Sequence, residues 1–190
     1  MIVKSVFIKD VFIIEPEVYK DERGFFMESF NKKGFEKALG RKLDFCQQNQ
    51  TYSKKGALRG LHYQKHPFSQ SKLVQVTHGS VLDVIVDIRM GSKTFGEHFC
   101  QELSATNMLQ LFIPRGFAHG FITLSDTSTF VYKVDQYFNF NSECGLAPDD
   151  LALGIDWQLP KSQWIQSEKD KKHTTLAEAT LFDYNTDLYA

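Results

Sequence analysis

The chain has few cysteines, and their arrangement suits neither a disulfide scaffold nor a metal cluster. Among 190 residues it holds only Cys46, Cys100 and Cys144, which are odd in number, widely spaced and in no Cys-x-x-Cys pair. This pattern argues against a disulfide framework and against a cysteine zinc site. It predicts three buried apolar thiols in a reducing compartment.

An excess of one charge and long hydrophobic runs are also missing. The 22 Lys and Arg residues balance 23 Asp and Glu residues, which leaves a formal net charge of -1. A nucleic-acid partner is not expected, because such binding needs a dominant basic face. Lys4, Lys9 and Asp10 interrupt the apolar run at the amino terminus, so neither a signal peptide nor a membrane span is expected. We therefore expect a cytoplasmic protein with no membrane partner and one domain over residues 1–190.

Short alternating runs of apolar and aromatic residues are the main structural signal. The clearest run covers 81–89, where apolar residues alternate with Asp83, Asp87 and Arg89, and it predicts a strand with one side facing the core. Similar runs occupy 72–80, 109–117, 119–125 and 128–138. Their nearly even spacing predicts an all-β sandwich or barrel.

Helices are predicted only beside this run of strands. Residues 31–40 begin with the N-cap candidate Asn31 and end at Gly40. Further short helical segments are predicted after Ser167 and within 174–182.

The densest polar cluster in an apolar region is the segment 56–64. Arg59 and His62 lie there in a strand-like stretch, either as an edge strand with an exposed arginine or as part of an anion site. Residues three apart in a straight strand point to opposite faces, so the two would share a face only if Gly60 allows a bulge.

Other polar residues have both a structural and a functional interpretation. Lys72 is either a solvated strand end or a site residue, Tyr132 a core tyrosine or an acid, and Asp170 a helix cap or a catalytic carboxylate. His119 lies between phenylalanines and glycines, where an imidazole needs a polar partner or a ligand. A metal is not expected, because His62 and His66 have no carboxylate near them in the sequence.

Several segments, taken in order, resemble the nucleotide-sugar 3,5-epimerases, and most closely the dTDP-4-dehydrorhamnose 3,5-epimerase family. They are DERGFFMESF at 21–30, Gln47 with Asn49, LRGLHYQ at 58–64, QSKLVQVTHGSVLDVIVDIR at 70–89, IPRGFAHGF at 113–121, VYK at 131–133 and SEKD at 167–170. The resemblance implies an all-β, cupin-type jelly-roll barrel with short flanking helices. It also implies a homodimer with an exchanged amino-terminal segment, and a site with no metal and no cofactor.

The same resemblance implies a role for individual residues. His62 matches the general base, Asp170 the carboxylate that orients it, Tyr132 the proton donor and Lys72 the residue beside the ketone. Arg59 matches a diphosphate ligand. The other implied substrate contacts are Arg23, Phe26, Glu28, Gln47, Asn49, His119, Tyr137, Glu143 and Lys169, some of them reaching the neighbouring subunit.

The implied reaction inverts C3 and C5 of dTDP-4-dehydro-6-deoxy-D-glucose, a dTDP-linked 4-keto-6-deoxyhexose, to give dTDP-4-dehydro-L-rhamnose. A carbon beside a ketone loses a proton only if a base is in reach and a donor stabilises the enolate, and inversion requires a second acid across the ring. His62, Lys72 and Tyr132 are suitable types for these three tasks. No cofactor is needed, because the C4 ketone of the substrate acidifies both centres.

The sequence departs from the family pattern at Gln48, where Asp is usual, and at Ala147 and Pro148, where Trp and Asn are usual. These changes bear on which sugar and which nucleotide the protein binds, and less on the type of reaction. Three alternatives remain: a 3-epimerase that inverts one centre of another nucleotide-linked 4-keto-6-deoxysugar, a metal-dependent cupin enzyme, and a sugar-binding cupin without activity.

Overall fold

The computed structural model describes residues 1–190 and consists mainly of strands. The strands are β1 (Ile2–Ser5), β2 (Phe12–Glu15), β3 (Val18–Asp21), β4 (Gly24–Met27), β5 (Gln47–Lys54), β6 (Leu58–Gln64), β7 (Lys72–His78), β8 (Ser80–Asp87), β9 (Arg89–Met90), β10 (His98–Ser104), β11 (Gln110–Ile113), β12 (Phe117–Thr123), β13 (Thr127–Val134), β14 (Glu143–Gly145) and β15 (Phe182–Asp183). Helix α1 spans Lys32–Leu39, and short 3₁₀ helices span Phe140–Ser142, Lys161–Gln163, Asp170–Lys172 and Leu176–Glu178.

Two antiparallel sheets pack face to face. One has the order β1-β2-β11-β7-β13-β5, and the other has the order β10-β8-β12-β6-β14. An apolar cluster fills the space between them, with Val74 and Phe130 from the first sheet against Ile85 and Phe121 from the second. The all-β prediction is confirmed, and the two-sheet arrangement is that of a jelly roll.

Strand register decides which side chains face the space between the sheets. Tyr132 of β13 pairs with Val74 of β7 and with Asn49 of β5. Paired residues share a face, as do residues two apart along a strand. Because Val74 is part of the cluster between the sheets, Tyr132, Asn49, Lys72 and Gln47 all lie on the inward face.

Strand β8 is buried on both faces, so the prediction that only one side faces a core is wrong. Ile85 points into the space between the sheets, whereas Val84 and Val86 belong to a second cluster on the other side. That second cluster is completed by carboxy-terminal residues, including Trp157 and Phe182. The apolar residues expected to form the only core face therefore pack against this distant part of the chain.

The acidic residues of this strand are fully buried and hydrogen-bonded. Asp87 accepts hydrogen bonds from Arg89, Ser92 and Thr94, and Asp83 lies 2.9 Å from His119. Buried carboxylates need such partners, because burial without them costs several kcal/mol.

The predicted helix at 31–40 is confirmed. Asn31 caps α1 by accepting a hydrogen bond from the Gly34 N–H, and Gly40 ends it at a φ of 67°. The helix buries Phe35 among the rings of Phe30, Phe45 and Phe112. No helix of the structure is long and apolar enough to cross a membrane.

All three cysteines are free thiols, but they are not all buried as predicted. Cys46 is exposed, while Cys100 and Cys144 are half-buried. Burial raises the pKa of the Cys100 thiol to about 11, so this side chain behaves as an inert thiol.

Candidate active site

A cavity of about 750 Å³ opens between the two sheets, a size suited to a small-molecule ligand. Ten of the fourteen residues predicted for the site line it: Gln47, Asn49, Arg59, His62, Lys72, His119, Tyr132, Glu143, Lys169 and Asp170. The lining also includes apolar side chains such as Leu58, Phe121, Phe130 and Phe138. The cavity therefore combines an apolar wall with a few convergent polar groups.

Gly60 brings Arg59 and His62 onto the same wall. His62 pairs with His119 of β12 while Arg59 pairs with Phe121, so a three-residue step on β6 matches a two-residue step on β12. Gly60 has a φ of 130°, and a Cβ there would lie 2.5 Å from the Cα of Gly120. Only glycine fits this position without strain, and the bulge that the sequence left open is present.

His62 and Asp170 form a hydrogen-bonded pair in the cavity wall. Nε2 of His62 lies 2.9 Å from Oδ1 of Asp170, which leaves Nδ1 as the ring nitrogen available for proton exchange. Asp170 begins a 3₁₀ helix that is held by Ser167, whose hydroxyl accepts the Asp170 N–H. Burial disfavours the ionised carboxyl, but the hydrogen bonds from His62 and Ser167 outweigh it and hold the pKa of Asp170 below its usual value.

His173 was not identified from the sequence, yet it completes a His, Asp and His group. Its ring lies edge-on to that of His62, with the centroids 5.2 Å apart, and its Nε2 is 3.9 Å from Oδ1 of Asp170. Asp170 is brought to His62 from more than a hundred residues away, so this histidine has a carboxylate neighbour in the fold although it has none nearby in the sequence. The only local signal is the Asp-x-x-His spacing of 170–173.

Tyr132 and Lys72 lie on the opposite sheet from His62. They share the inward face of β13 and β7, and Tyr132 packs against Phe130. Burial lowers the pKa of Lys72 from 10.5 to about 8, although the carboxylates of Asp83 and Glu143 partly offset this effect. A lysine with such a pKa exchanges its proton readily near neutral pH.

The polar partner that His119 requires is Asp83, with Nε2 2.9 Å from Oδ2. Both side chains are buried. Burial lowers the pKa of His119, as do the nearby Lys72 and His62, while Asp83 raises it by a smaller amount. The net shift favours a neutral imidazole at the base of the cavity.

The cavity also carries cationic groups suited to a negatively charged ligand. Arg59 donates a hydrogen bond to Ser53 over 3.1 Å but forms no ion pair. Lys169 pairs with Glu143 at 2.5 Å. The positive charge of Arg59 is therefore not neutralised by a carboxylate. Its planar guanidinium suits phosphate oxygens.

Four predicted site residues lie away from the cavity of their own chain. Arg23 and Phe26 are exposed on the hairpin of β3 and β4, and Glu28 accepts a hydrogen bond from Asn31. Tyr137 is also exposed, whereas its neighbour Phe138 lines the cavity. The structure thus separates these four side chains from the other ten.

The positions that depart from the family pattern do not line the cavity. Gln48 points away from it, between the inward residues Gln47 and Asn49, and pairs with Lys133. The Ala147 N–H bonds to Thr174, and the Pro148 carbonyl accepts the Trp157 indole N–H. Gln48, Ala147 and Pro148 therefore contribute no side chain to the cavity wall around His62.

The fold and the site define a class of protein. A histidine held by a carboxylate faces a tyrosine and a lysine across a cavity that is large enough for a small molecule. Such groups can take a proton from one side of a carbon next to a carbonyl and return it on the other. The fold and the site are therefore those of a jelly-roll protein equipped for proton transfer at carbon.

Comparison with known proteins identifies the particular family. Residues 5–178 match the dTDP-4-dehydrorhamnose 3,5-epimerase family, and the chain belongs to that family. A dTDP-4-dehydrorhamnose 3,5-epimerase from Shigella flexneri is 50% identical over 175 residues, which cover 92% of this chain and 96% of the relative.

Solved structures agree with this assignment. The dTDP-6-deoxy-D-glucose-3,5-epimerase from Legionella pneumophila, in complex with dTDP-4-keto-L-rhamnose, is 44% identical with a TM-score of 0.93 and covers 97% of this chain and 98% of its own. The dTDP-4-dehydrorhamnose 3,5-epimerase from Elizabethkingia anophelis is 47% identical with a TM-score of 0.88 and covers 92% of this chain and 96% of its own.

Proposed function

We propose that this chain converts dTDP-4-dehydro-6-deoxy-D-glucose to dTDP-4-dehydro-L-rhamnose by inverting C3 and C5. The single observation that carries the proposal is the placement of His62 with Asp170 on one sheet and of Tyr132 with Lys72 on the facing sheet. An inverting site needs a base on one side of the sugar and an acid on the other. These residues supply both.

His62 removes the protons. Nδ1 accepts the proton of C3 or C5, the C–H electron pair becomes the enolate that is delocalised onto the C4 oxygen, and the resulting imidazolium is stabilised by Asp170. A positioned base of this kind contributes roughly 10²- to 10⁴-fold in rate.

Lys72 stabilises the enolate, and Tyr132 completes the inversion. The Lys72 ammonium lies on the wall facing His62 and donates to the developing oxyanion, an interaction that contributes roughly 3 to 4 kcal/mol when the donor is preorganised. The Tyr132 hydroxyl then gives its proton to the opposite face of the same carbon. Solvent returns a proton to Tyr132 and takes one from His62, so the cycle is balanced and requires no cofactor.

The nucleotide is held by cations and amides around the cavity. Arg59 binds the diphosphate, because its guanidinium has no carboxylate partner. Gln47 and Asn49, which are hydrogen-bonded to each other over 2.8 Å, together with His119, Glu143 and Lys169, contact the sugar and the nucleotide.

The active unit is a homodimer in which each chain lends its amino-terminal hairpin to its partner. Arg23, Phe26 and Glu28 do not line the cavity of their own chain, and the hairpin of β3 and β4 pairs with no other strand. An isolated two-stranded hairpin is only marginally stable in water. The exposed rings of Tyr19, Phe25 and Phe26 are the surface that a second copy would cover.

The test is incubation of the purified enzyme with dTDP-4-dehydro-6-deoxy-D-glucose in heavy water, followed by NMR of the sugar. We expect deuterium at both C3 and C5 and accumulation of the L-rhamno product. Exchange and inversion at C3 alone would instead identify a single-centre 3-epimerase. Absence of exchange at both carbons would contradict the proposal.

A further inference from the structure

Three metal-ligating side chains converge beside the cavity. Nε2 of His62 and Nε2 of His173 lie 2.9 and 3.9 Å from the same oxygen, Oδ1 of Asp170. One ligand atom from each of the three residues falls within 4.8 Å of the others. Zinc bonds of about 2.0 to 2.2 Å to nitrogen and oxygen place neighbouring ligands roughly 3 to 3.5 Å apart, so small side-chain movements are sufficient to form the site.

The local fold builds this arrangement. Asp170 opens the 3₁₀ helix and His173 directly follows it, and side chains three apart in a 3₁₀ helix lie above one another. Gly145, which pairs with His62 across β14 and β6, leaves the room for the second imidazole. A Cβ at Gly145 would lie 2.4 Å from Cε1 of His173.

His173 is largely buried although one nitrogen of its ring has no hydrogen-bond partner. Its side chain is only 9% exposed, and its Nδ1 has no hydrogen-bond partner. Two imidazoles and one carboxylate form a ligand set that suits Zn²⁺ or Co²⁺ and not Mg²⁺, which prefers oxygen ligands.

We propose that His62, Asp170 and His173 bind a divalent transition-metal ion such as Zn²⁺, and that the bound ion inhibits the enzyme. The binding part is independent of the proposed function. The inhibition rests on the role of His62 as the base, because a neutral imidazole that is coordinated through Nε2 carries its proton on Nδ1 and has no lone pair left for a C–H group.

The experiment uses Co²⁺ as a visible probe and Zn²⁺ as the inhibitor. The full-length protein is freed of metal with EDTA and titrated with Co²⁺, and the absorbance that arises from coordinated Co²⁺ is recorded. Turnover of dTDP-4-dehydro-6-deoxy-D-glucose is measured in parallel with increasing Zn²⁺ or Mg²⁺. The same measurements are made on His173→Asn and on His66→Asn, the control at an exposed histidine.

We expect one Co²⁺ per chain with absorbance typical of nitrogen ligation, inhibition by Zn²⁺ that EDTA reverses, and no effect of Mg²⁺. Loss of an outer-shell partner costs 10- to 100-fold in metal affinity, so loss of the His173 ligand should weaken binding and inhibition by about 100-fold or more. His66→Asn should match the wild type, and EDTA should not reduce turnover of either protein.

Absence of Co²⁺ binding, or equal binding by wild type and His173→Asn, would overturn the metal site. Binding without inhibition would overturn the inhibitory part and would also count against His62 as the base. An enzyme that binds Co²⁺ but does not turn over this substrate would contradict the proposed function alone. The absorbance titration measures metal binding without any turnover. A failure of the metal site can therefore be distinguished from a failure of the proposed function.

Discussion

At the scale of single residues, the site contains one charged group whose surroundings stabilise its charge and one whose surroundings destabilise it. Asp170 is buried but receives hydrogen bonds that keep it ionised, whereas Lys72 is enclosed without a hydrogen-bonded carboxylate and loses its proton more easily. Groups whose surroundings displace their pKa values in this way are typical of acid–base sites. Each residue leads to a separate prediction.

Lys72→Met should stabilise the fold while it removes activity. The pKa of Lys72 falls from 10.5 to about 8 in the folded chain, so the unfolded chain binds this proton more tightly and the protonated lysine destabilises the fold. The penalty is complete below pH 8 and disappears as the pH rises from about 8 to 10.5. Since the side chain keeps some exposure, we expect the variant to gain about 1 to 2 kcal/mol of unfolding free energy at pH 7.

Urea denaturation at pH 7 and at pH 10 measures this difference, with Lys93→Met as an exposed control that should change little at either pH. A Lys72→Met protein that is equally destabilised at both pH values would show that the lysine is not held in an unfavourable environment.

Asp170→Asn should lower the turnover number by roughly 10²- to 10⁴-fold, because the amide neither stabilises the imidazolium nor fixes the neutral tautomer. Glu168→Gln is the matched control, since Glu168 is exposed and pairs only with Lys171. Steady-state kinetics give the turnover numbers of the two variants, which are compared with that of the wild type. A turnover number for Asp170→Asn within a few-fold of wild type would mean that His62 works without the carboxylate.

At the scale of strands and turns, the site depends on one bulge. Gly60→Ala should destabilise the protein by more than about 3 kcal/mol, because a Cβ would meet the backbone of β12 at a φ that other residues avoid. Gly154→Ala is the control: its φ is 58°, but no atom lies within 4 Å of an added Cβ, so only about 1 kcal/mol is expected. Thermal unfolding of the two variants measures the difference, and equal losses would contradict the steric role of Gly60.

The sequence predicted those elements whose signal is local. Helix α1 followed from the caps Asn31 and Gly40, and five strands followed from alternation. Gly60 marked the place where a bulge could occur, but the sequence alone left the bulge open. Strand β10 and the amino-terminal strands β1 to β4 were not predicted, although β10 pairs with β8 along its whole length.

Features that depend on distant residues could not be predicted in this way. The second buried face of β8 is created by Trp157 and Phe182, more than sixty residues further along the chain. His173 gains its position from the 3₁₀ turn at Asp170 and from Gly145, and apart from the Asp-x-x-His spacing no pattern around it in the sequence indicates these contacts. Residue types thus indicated the chemistry, while the packing of remote segments decided the geometry.

At the scale of the whole molecule, the proposed dimer predicts that two inactive variants restore each other. Arg23→Ala chains keep His62, and His62→Ala chains keep Arg23, so a mixed dimer holds one complete site. Random exchange in a symmetric dimer should recover about a quarter of the wild-type activity. The measurement is turnover after the subunits are mixed and exchange is verified by mass. No recovery after complete exchange would contradict the sharing of sites.

The measurement that tests the division of roles most directly is hydrogen exchange against inversion in heavy water. His62→Ala should abolish deuterium uptake at C3 and C5, since no enolate forms, whereas Tyr132→Phe should still take up deuterium with little net inversion because the base and Lys72 remain. His66→Ala, at an exposed position, should behave as the wild type. Inversion of both centres at the wild-type rate by Tyr132→Phe, or exchange at both carbons by His62→Ala, would contradict the proposed mechanism.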